Sequence, residues 1–236
     1  MTTTGPTIPR ATSLREALED LAPSARLQAA MAAGMQPGPA DPPVLVARCA
    51  LEPDFYVRDM LTWALTRHPA AVTVPLLLAE LRDGSPQARS QALHTLSKVG
   101  DPRGWTAITP ELLRDPEDEV ARTAWRAAVA LVPEGAEADL AATLVTQLGR
   151  GGPEVRRSLS RALVDLGEAA GSALAEAATR GDVATRTHAI ATQRLTLDPE
   201  QGFEASVSEA ERVVALMDAP VAGGAEASSG DPGADR

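Results

Sequence analysis

Apolar residues recur at helical spacing along most of this chain, and the pattern returns at a nearly constant interval of a little over thirty residues. Let Ala25, Val57, Ala88, Ala121, Val155 and Thr185 each be position zero of a helix. Four residues on stand Ala29, Leu61, Ala92, Trp125, Leu159 and Ala189. Eight on stand Ala33, Leu65, Leu96, Val129, Leu163 and Gln193. With position seven, these make one stripe of a 3.6-residue helix and predict its core face. Gln193 breaks the stripe, as a partly exposed last repeat would. A period of this length predicts stacked helical hairpins, each packing only on its neighbours.

Punctuation between the apolar stretches agrees. Ser13-Leu14-Arg15-Glu16 fits a capping box at a first helix start. Asp41-Pro42, Pro53-Asp54, Ser85-Pro86, Asp101-Pro102 and Gly181-Asp182 open further helices, because a carboxylate or hydroxyl caps while proline tolerates the first turn. The period stops after Asp198. Ser208-Glu209-Ala210-Glu211 then predicts a last helix covering the open end of the stack. The expected organisation is an irregular N-terminus (1–12), a repeat body (13–197), a capping helix (198–218) and an irregular acidic tail (219–236).

An arginine follows each position zero: Arg26, Arg58, Arg89, Arg122, Arg156 and Arg186. With turn acids at Asp54, Asp83, Asp115 and Asp182, the column reads as a structural ladder of guanidiniums bonding turn carboxylates and carbonyls. Its other reading is a row of anion-binding groups.

A turn acid, then Val/Ala-Arg, then Ala/Leu four on and Leu eight on resembles the HEAT repeat. Residues 54–65, 85–96 and 117–129 carry the likeness best. The resemblance implies an all-α, right-handed α-solenoid of about six hairpins, an armadillo-like superhelix whose second helices line the concave surface. More narrowly, Asp54 to Leu65 is similar to a family of small HEAT proteins from high-GC bacteria, which implies no activity.

Composition narrows the function classes. Net charge is −10, but nine acids and two arginines lie beyond residue 197, so the repeat body is nearly neutral. That argues against a duplex-DNA footprint, which needs a basic stripe. There is no apolar signal segment and no run of eighteen apolar residues, so the expectation is a cytoplasmic protein without membrane contact. Cys49 is the one cysteine, which excludes an intramolecular disulfide and reads as a buried thiol.

Candidate chemistry lies opposite the apolar stripe, near positions two, six and nine. That face holds Asp59, Trp63, His94, Arg157 and Arg161, with Thr62 and Arg126 at its margin. Phe55, Tyr56 and Trp63 put half of the six aromatics in nine residues. Trp and Arg favour binding hot spots, so this face is the expected partner-binding surface for a protein or peptide. Trp105 and Trp125 read as packing. No histidine pairs with another at three or four residues, unlike the His-Glu pairs of HEAT-type di-iron hydroxylases, so neither metal nor cofactor is expected. Gly149-Arg150-Gly151-Gly152-Pro153 lacks the Lys-Ser/Thr of a phosphate loop and reads as a turn. HEAT-like glycosylases for alkylated bases place an Asp one turn after a Trp, whereas here Asp59 precedes Trp63. The alternative reading is a DNA-repair enzyme resembling these glycosylases, using Asp59 near Trp63, or another HEAT-like accessory enzyme. The bilin lyases of the same superfamily share only the fold.

Overall fold

The computed structural model describes residues 13–219. The expectations for residues 1–12 and for the tail beyond Ala219 lie outside the described residues. Within them the chain is all-α. Its helices are α1 (Leu14–Leu18), α2 (Pro23–Met35), α3 (Asp41–Cys49), α4 (Phe55–Thr66), α5 (Ala70–Asp83), α6 (Pro86–Val99) and α7 (Pro102–Ala107). They continue with α8 (Pro110–Leu113), α9 (Asp118–Leu131), α10 (Glu137–Leu144), α11 (Pro153–Asp165), α12 (Gly171–Arg180), α13 (Val183–Leu197) and α14 (Phe203–Met217).

Two layers run the length of the stack. In one, α2, α4, α6, α9, α11 and α13 each pack on the next. In the other, α1, α3, α5, the split pair α7–α8, α10 and α12 follow in order. Six hairpins result, one from each layer, and their shared core is a HEAT-type solenoid. Leu61, Leu65, Leu96, Leu159 and Leu163 are buried along the stripe, each stabilising by roughly 1.5–3 kcal/mol. Abundant alanines let the backbones approach closely.

Local chemistry sets the boundaries. Ser13 and Glu16 form the reciprocal capping box. Asp54 caps α4 by accepting the Tyr56 and Val57 N–H groups, and Ser85, Asp101 and Asp182 cap α6, α7 and α13. Gly100, at φ +71°, ends α6 in the left-handed conformation. The fourth hairpin's first helix is broken at Thr109-Pro110, because a residue before proline avoids the helical region. Thr109 caps the short α8 that follows. Trp125, fully buried, donates its indole N–H to the Leu113 carbonyl at 2.8 Å, so the end of α8 is satisfied by the core of α9.

Three expectations about the helices need correction. Asp41 lies inside α3 and accepts the Gly38 N–H instead of capping. The last helix begins at Phe203, not at Ser208, because Gly202 turns the chain at φ +75° and Phe203 buries against His188. In α2 the buried side slips by one residue, to Arg26, Ala30, Ala33 and Gly34, while Ala32 is exposed.

The slip in α2 follows from Arg26, which is only 5% exposed and points into the stack. Its Nε and Nη2 donate to both oxygens of Glu52 at 2.8 and 2.7 Å, and its Nη1 to the Asp20 and Leu21 carbonyls. Glu52 is fully buried and also accepts Arg48 and the Asp54 N–H. Burial alone would raise its pKa. The bonds from Arg26, the Asp54 N–H and Arg48 outweigh that and lower it to about 2. Arg89 pairs with Asp115, and Arg186 grips Asp218 with both terminal nitrogens. Arg58 instead donates to the carbonyls of Glu52 and Pro53, and Arg156 to that of Gly151. The carboxylates that receive these arginines are therefore Glu52, Asp115 and Asp218. Asp54 and Asp182 serve as caps.

Hydroxyl groups pin the second-helix layer. Thr62 of α4 accepts Gln91 Nε2 at 2.7 Å and meets Thr95 Oγ1 at 3.3 Å, both from α6. Ser160 of α11 meets His188 Nε2 at 2.9 Å and Thr192 Oγ1 at 2.7 Å, both from α13. The two triads occupy identical positions: five on one helix, three and seven on the next. His188 also accepts the Gly149 N–H at Nδ1. This leaves the imidazole neutral, and burial pushes its pKa down to about 4.

Candidate functional site

The face opposite the apolar stripe is narrower than a single-stripe reading predicts. A second helix in a stack touches its hairpin mate and both neighbours in its own layer. Burial therefore extends to position three at Gln91, Ala124 and His188 and to position five at Ala30, Thr62, Leu93 and Ser160. Thr62, expected at the margin of a binding face, is buried and committed to Gln91 and Thr95. Ala127 and Ala191, at position six, are buried too.

The exposed aromatic side chains of this face lie on α4. Trp63 is 39% exposed, and Phe55 and Tyr56 are 64% and 71% exposed, their rings edge to face at 5.6 Å. Trp63 is anchored from behind. A methyl group added at Gly34 of α2 would fall well inside van der Waals contact with its ring, so the indole rests directly on the α2 backbone. Gly34 is thus a seat for the tryptophan.

Beside this edge runs a cleft of about 380 Å³. Its walls include Phe55 and Asp59 of α4, Gln87 and His94 of α6, and Thr123 and Arg126 of α9. Arg58, Glu117 and Glu119 bring further charge of both signs. A shallower hollow next to it is lined by Asp59, Thr62, Trp63, Thr66 and Lys98. Asp59 belongs to both.

His94 is half-buried, and its pKa lies below the ordinary histidine value. Desolvation is the main cause, Lys98 and Arg126 add to it, and Asp59 opposes it. The ring is thereby biased towards its neutral form near pH 7, able both to donate and to accept.

Arg157 and Arg161 belong to α11, the next helix of the layer. They line a third cleft with Val164, Asp165, Leu195 and Phe203. Arg157 is held by Glu154 and Glu204 and lies over the Phe203 ring, 5.6 Å from its centroid. Arg161 is exposed on α11. The expected site residues thus divide into a cluster of Asp59, Trp63, His94 and Arg126, an engaged Arg157, an exposed Arg161 and a structural Thr62.

Among the described residues, no three His, Cys, Asp or Glu side chains come together as a metal site. Cys49 is buried, and desolvation pushes its thiol up to about 12. No helix there is long and apolar enough to cross a membrane. Glu52, Arg150, Ser160 and His188 were not singled out from sequence. One and the same offset, 26 residues, separates Arg26 from Glu52 and Arg89 from Asp115. That spacing would have found Glu52.

Residues 50–130, from the turn after α3 through nearly all of α9, match the family model for HEAT repeats. Among solved structures, human deoxyhypusine hydroxylase in complex with glycerol is similar at 20% identity and a TM-score of 0.41. The likeness covers 86% of this chain and 94% of that one, and says nothing of this chain's chemistry. No curated protein matches the chain.

Proposed function

We propose that this HEAT-repeat protein is a non-catalytic interaction module. It holds a peptide segment of a protein partner across α4, α6 and α9. The observation that carries the reading is the exposed aromatic edge of Phe55, Tyr56 and Trp63 beside a cleft of mixed charge. Large side chains clustered at a surface mark binding sites. Trp63 is already seated on Gly34, so ordering it on binding costs little entropy. Arg58 and Arg126 face Asp59, Glu117 and Glu119 in one cleft. Such alternation suits the donors and acceptors of a peptide better than a uniformly anionic phosphate backbone.

The test is selection of displayed random peptides against the purified chain and against its Phe55→Ala/Trp63→Ala variant. Peptides retained by the first and lost by the second support the reading. Recovery of no peptide, or of the same peptides by both, overturns it.

A further inference from the structure

Arg122 occupies the arginine column but takes no part in the ladder. Arg26 and Arg89 each reach a carboxylate 26 residues on, at Glu52 and Asp115. The residue at that offset from Arg122 is Leu148. The turn carbonyls are taken as well. Arg150, arriving from the next hairpin, donates to the carbonyls of Asp115 and Pro116 and pairs with Asp118. Arg122 is left with Glu119 at 3.6 Å, and its buried Nε has no hydrogen-bond partner among the described residues.

A second guanidinium stands beside it. Arg126 lies one turn on, with its guanidinium against Thr123 and the Arg122 carbonyl. Desolvation holds the pKa of Arg126 below its ordinary value, Arg122 and Arg161 depress it further, and Glu119 opposes. Arg122 and Arg126 of α9 thus share Glu119 as their near acid, and Arg161 stands on α11, the next helix of the layer, near enough to act on the charge of Arg126. Asp165, one turn on from Arg161 in α11, lines the same cleft as that arginine. Glu154 and Glu204 are committed to Arg157.

We infer that Arg122, Arg126 and Arg161 form an acid-binding subsite at one end of the peptide groove, where they receive carboxylate side chains of the partner. The inference rests on the peptide-binding reading above and gives it a sequence preference. Trp63 lies two helices from α9 and three from α11 within the layer. At roughly 8–10 Å per helix step and about 3.3 Å per extended residue, an apolar anchor and the acidic residues are separated by about five to nine positions. Guanidinium–carboxylate pairs at such a surface give selectivity and association rate before affinity.

The experiment uses the full chain and two fluorescein-labelled synthetic peptides. Each carries a leucine followed, about six residues later, by three glutamates in one and three glutamines in the other. Fluorescence anisotropy at low salt is expected to show the glutamate peptide bound at least about tenfold more tightly. Arg126→Glu/Arg161→Glu should erase that difference with unchanged helicity by circular dichroism, and the milder Arg161→Gln should reduce it. Equal binding of both peptides, lost in Trp63→Ala, overturns the subsite and leaves the peptide groove standing. Binding of neither peptide overturns the subsite, and the peptide selection above then decides the groove separately. Tighter binding of a single-stranded oligonucleotide through the same arginines overturns the subsite as a carboxylate receptor.

Discussion

Arg26 and Glu52, 26 residues apart, form a two-pronged ion pair at 2.7 and 2.8 Å in the interior of the stack. Because Glu52 also holds Arg48 and the N–H of the next helix cap, one carboxylate joins the first hairpin to the second. Glu52→Gln should cost about 3–5 kcal/mol, since it leaves buried guanidiniums without a counter-charge. Arg26→Met should cost less, because Arg48 still neutralises the acid. Urea denaturation would rank the two, and the reverse order would refute the hub.

His188 makes stability depend on pH. Its folded pKa is near 4 against an ordinary 6.5, so the unfolded chain takes up the proton first. Protonation also turns the Nδ1 acceptor towards the Gly149 N–H into a donor. The contribution is complete above about pH 6.5 and falls as pH drops towards 4, by roughly 3 kcal/mol in all. The stability gap between the natural chain and His188→Gln, followed from pH 7.5 to 4, should shrink over that window. A constant gap would sink the assignment.

Gly34→Ala should unseat Trp63, because the new methyl group would overlap the indole and meet the Ala64 backbone at 3.0 Å. A loss of about 1–3 kcal/mol is expected from overpacking. A change in tryptophan emission should accompany it and should vanish in a Trp63→Phe background. If the emission change persists in that background, Trp63 is not the group displaced.

Arg150 and Arg122 should respond unequally to removal. Arg150→Ala deletes charged donors to two turn carbonyls and should cost about 1.5–3 kcal/mol. Arg122→Ala should change stability by less than about 0.5 kcal/mol, because its nearest acid is 3.6 Å away and exposed. Thermal unfolding of the two variants checks this directly; equal losses would return Arg122 to the ladder.

The Cys49 thiol, buried and raised to about 12, should be inert to a disulfide reagent at pH 8 in the folded chain and react on unfolding. Rapid labelling under native conditions would contradict the packing around α3.

The architecture was legible because a period of a little over thirty residues repeats its own evidence. Val57, Leu61 and Leu65 announce one buried helix face, and Ala88, Ala92 and Leu96 and Val155, Leu159 and Leu163 repeat it. The site was harder to read. A helical wheel assigns one buried side, but a helix between two others has three, which is why Thr62 was placed at a surface. The expected ladder partners failed for a different reason. Asp54 and Asp182 hold their own helix starts, and a carboxylate that caps is no longer free for the arginine of a neighbour. Reading Glu52 needed the distance between hairpins, which no local motif contains. The last helix was misplaced because Ser208 and Glu211 have capping-box spacing, while the turn that matters is made by Gly202.

The matched hydroxyl triads bear on how this chain can change its length. Thr62 faces Gln91 and Thr95, whereas the same positions of α9 hold Ala124 and Ala128. Excising the third hairpin would bring Thr62 against two methyl groups and strip a buried hydroxyl of its partners. Duplicating that hairpin would set Leu93 against a second Gln91 and Thr95. Copy number is thereby resisted at the joints themselves: each hairpin has a keyed neighbour, and the array behaves as an ordered sentence of six words instead of a string of interchangeable beads.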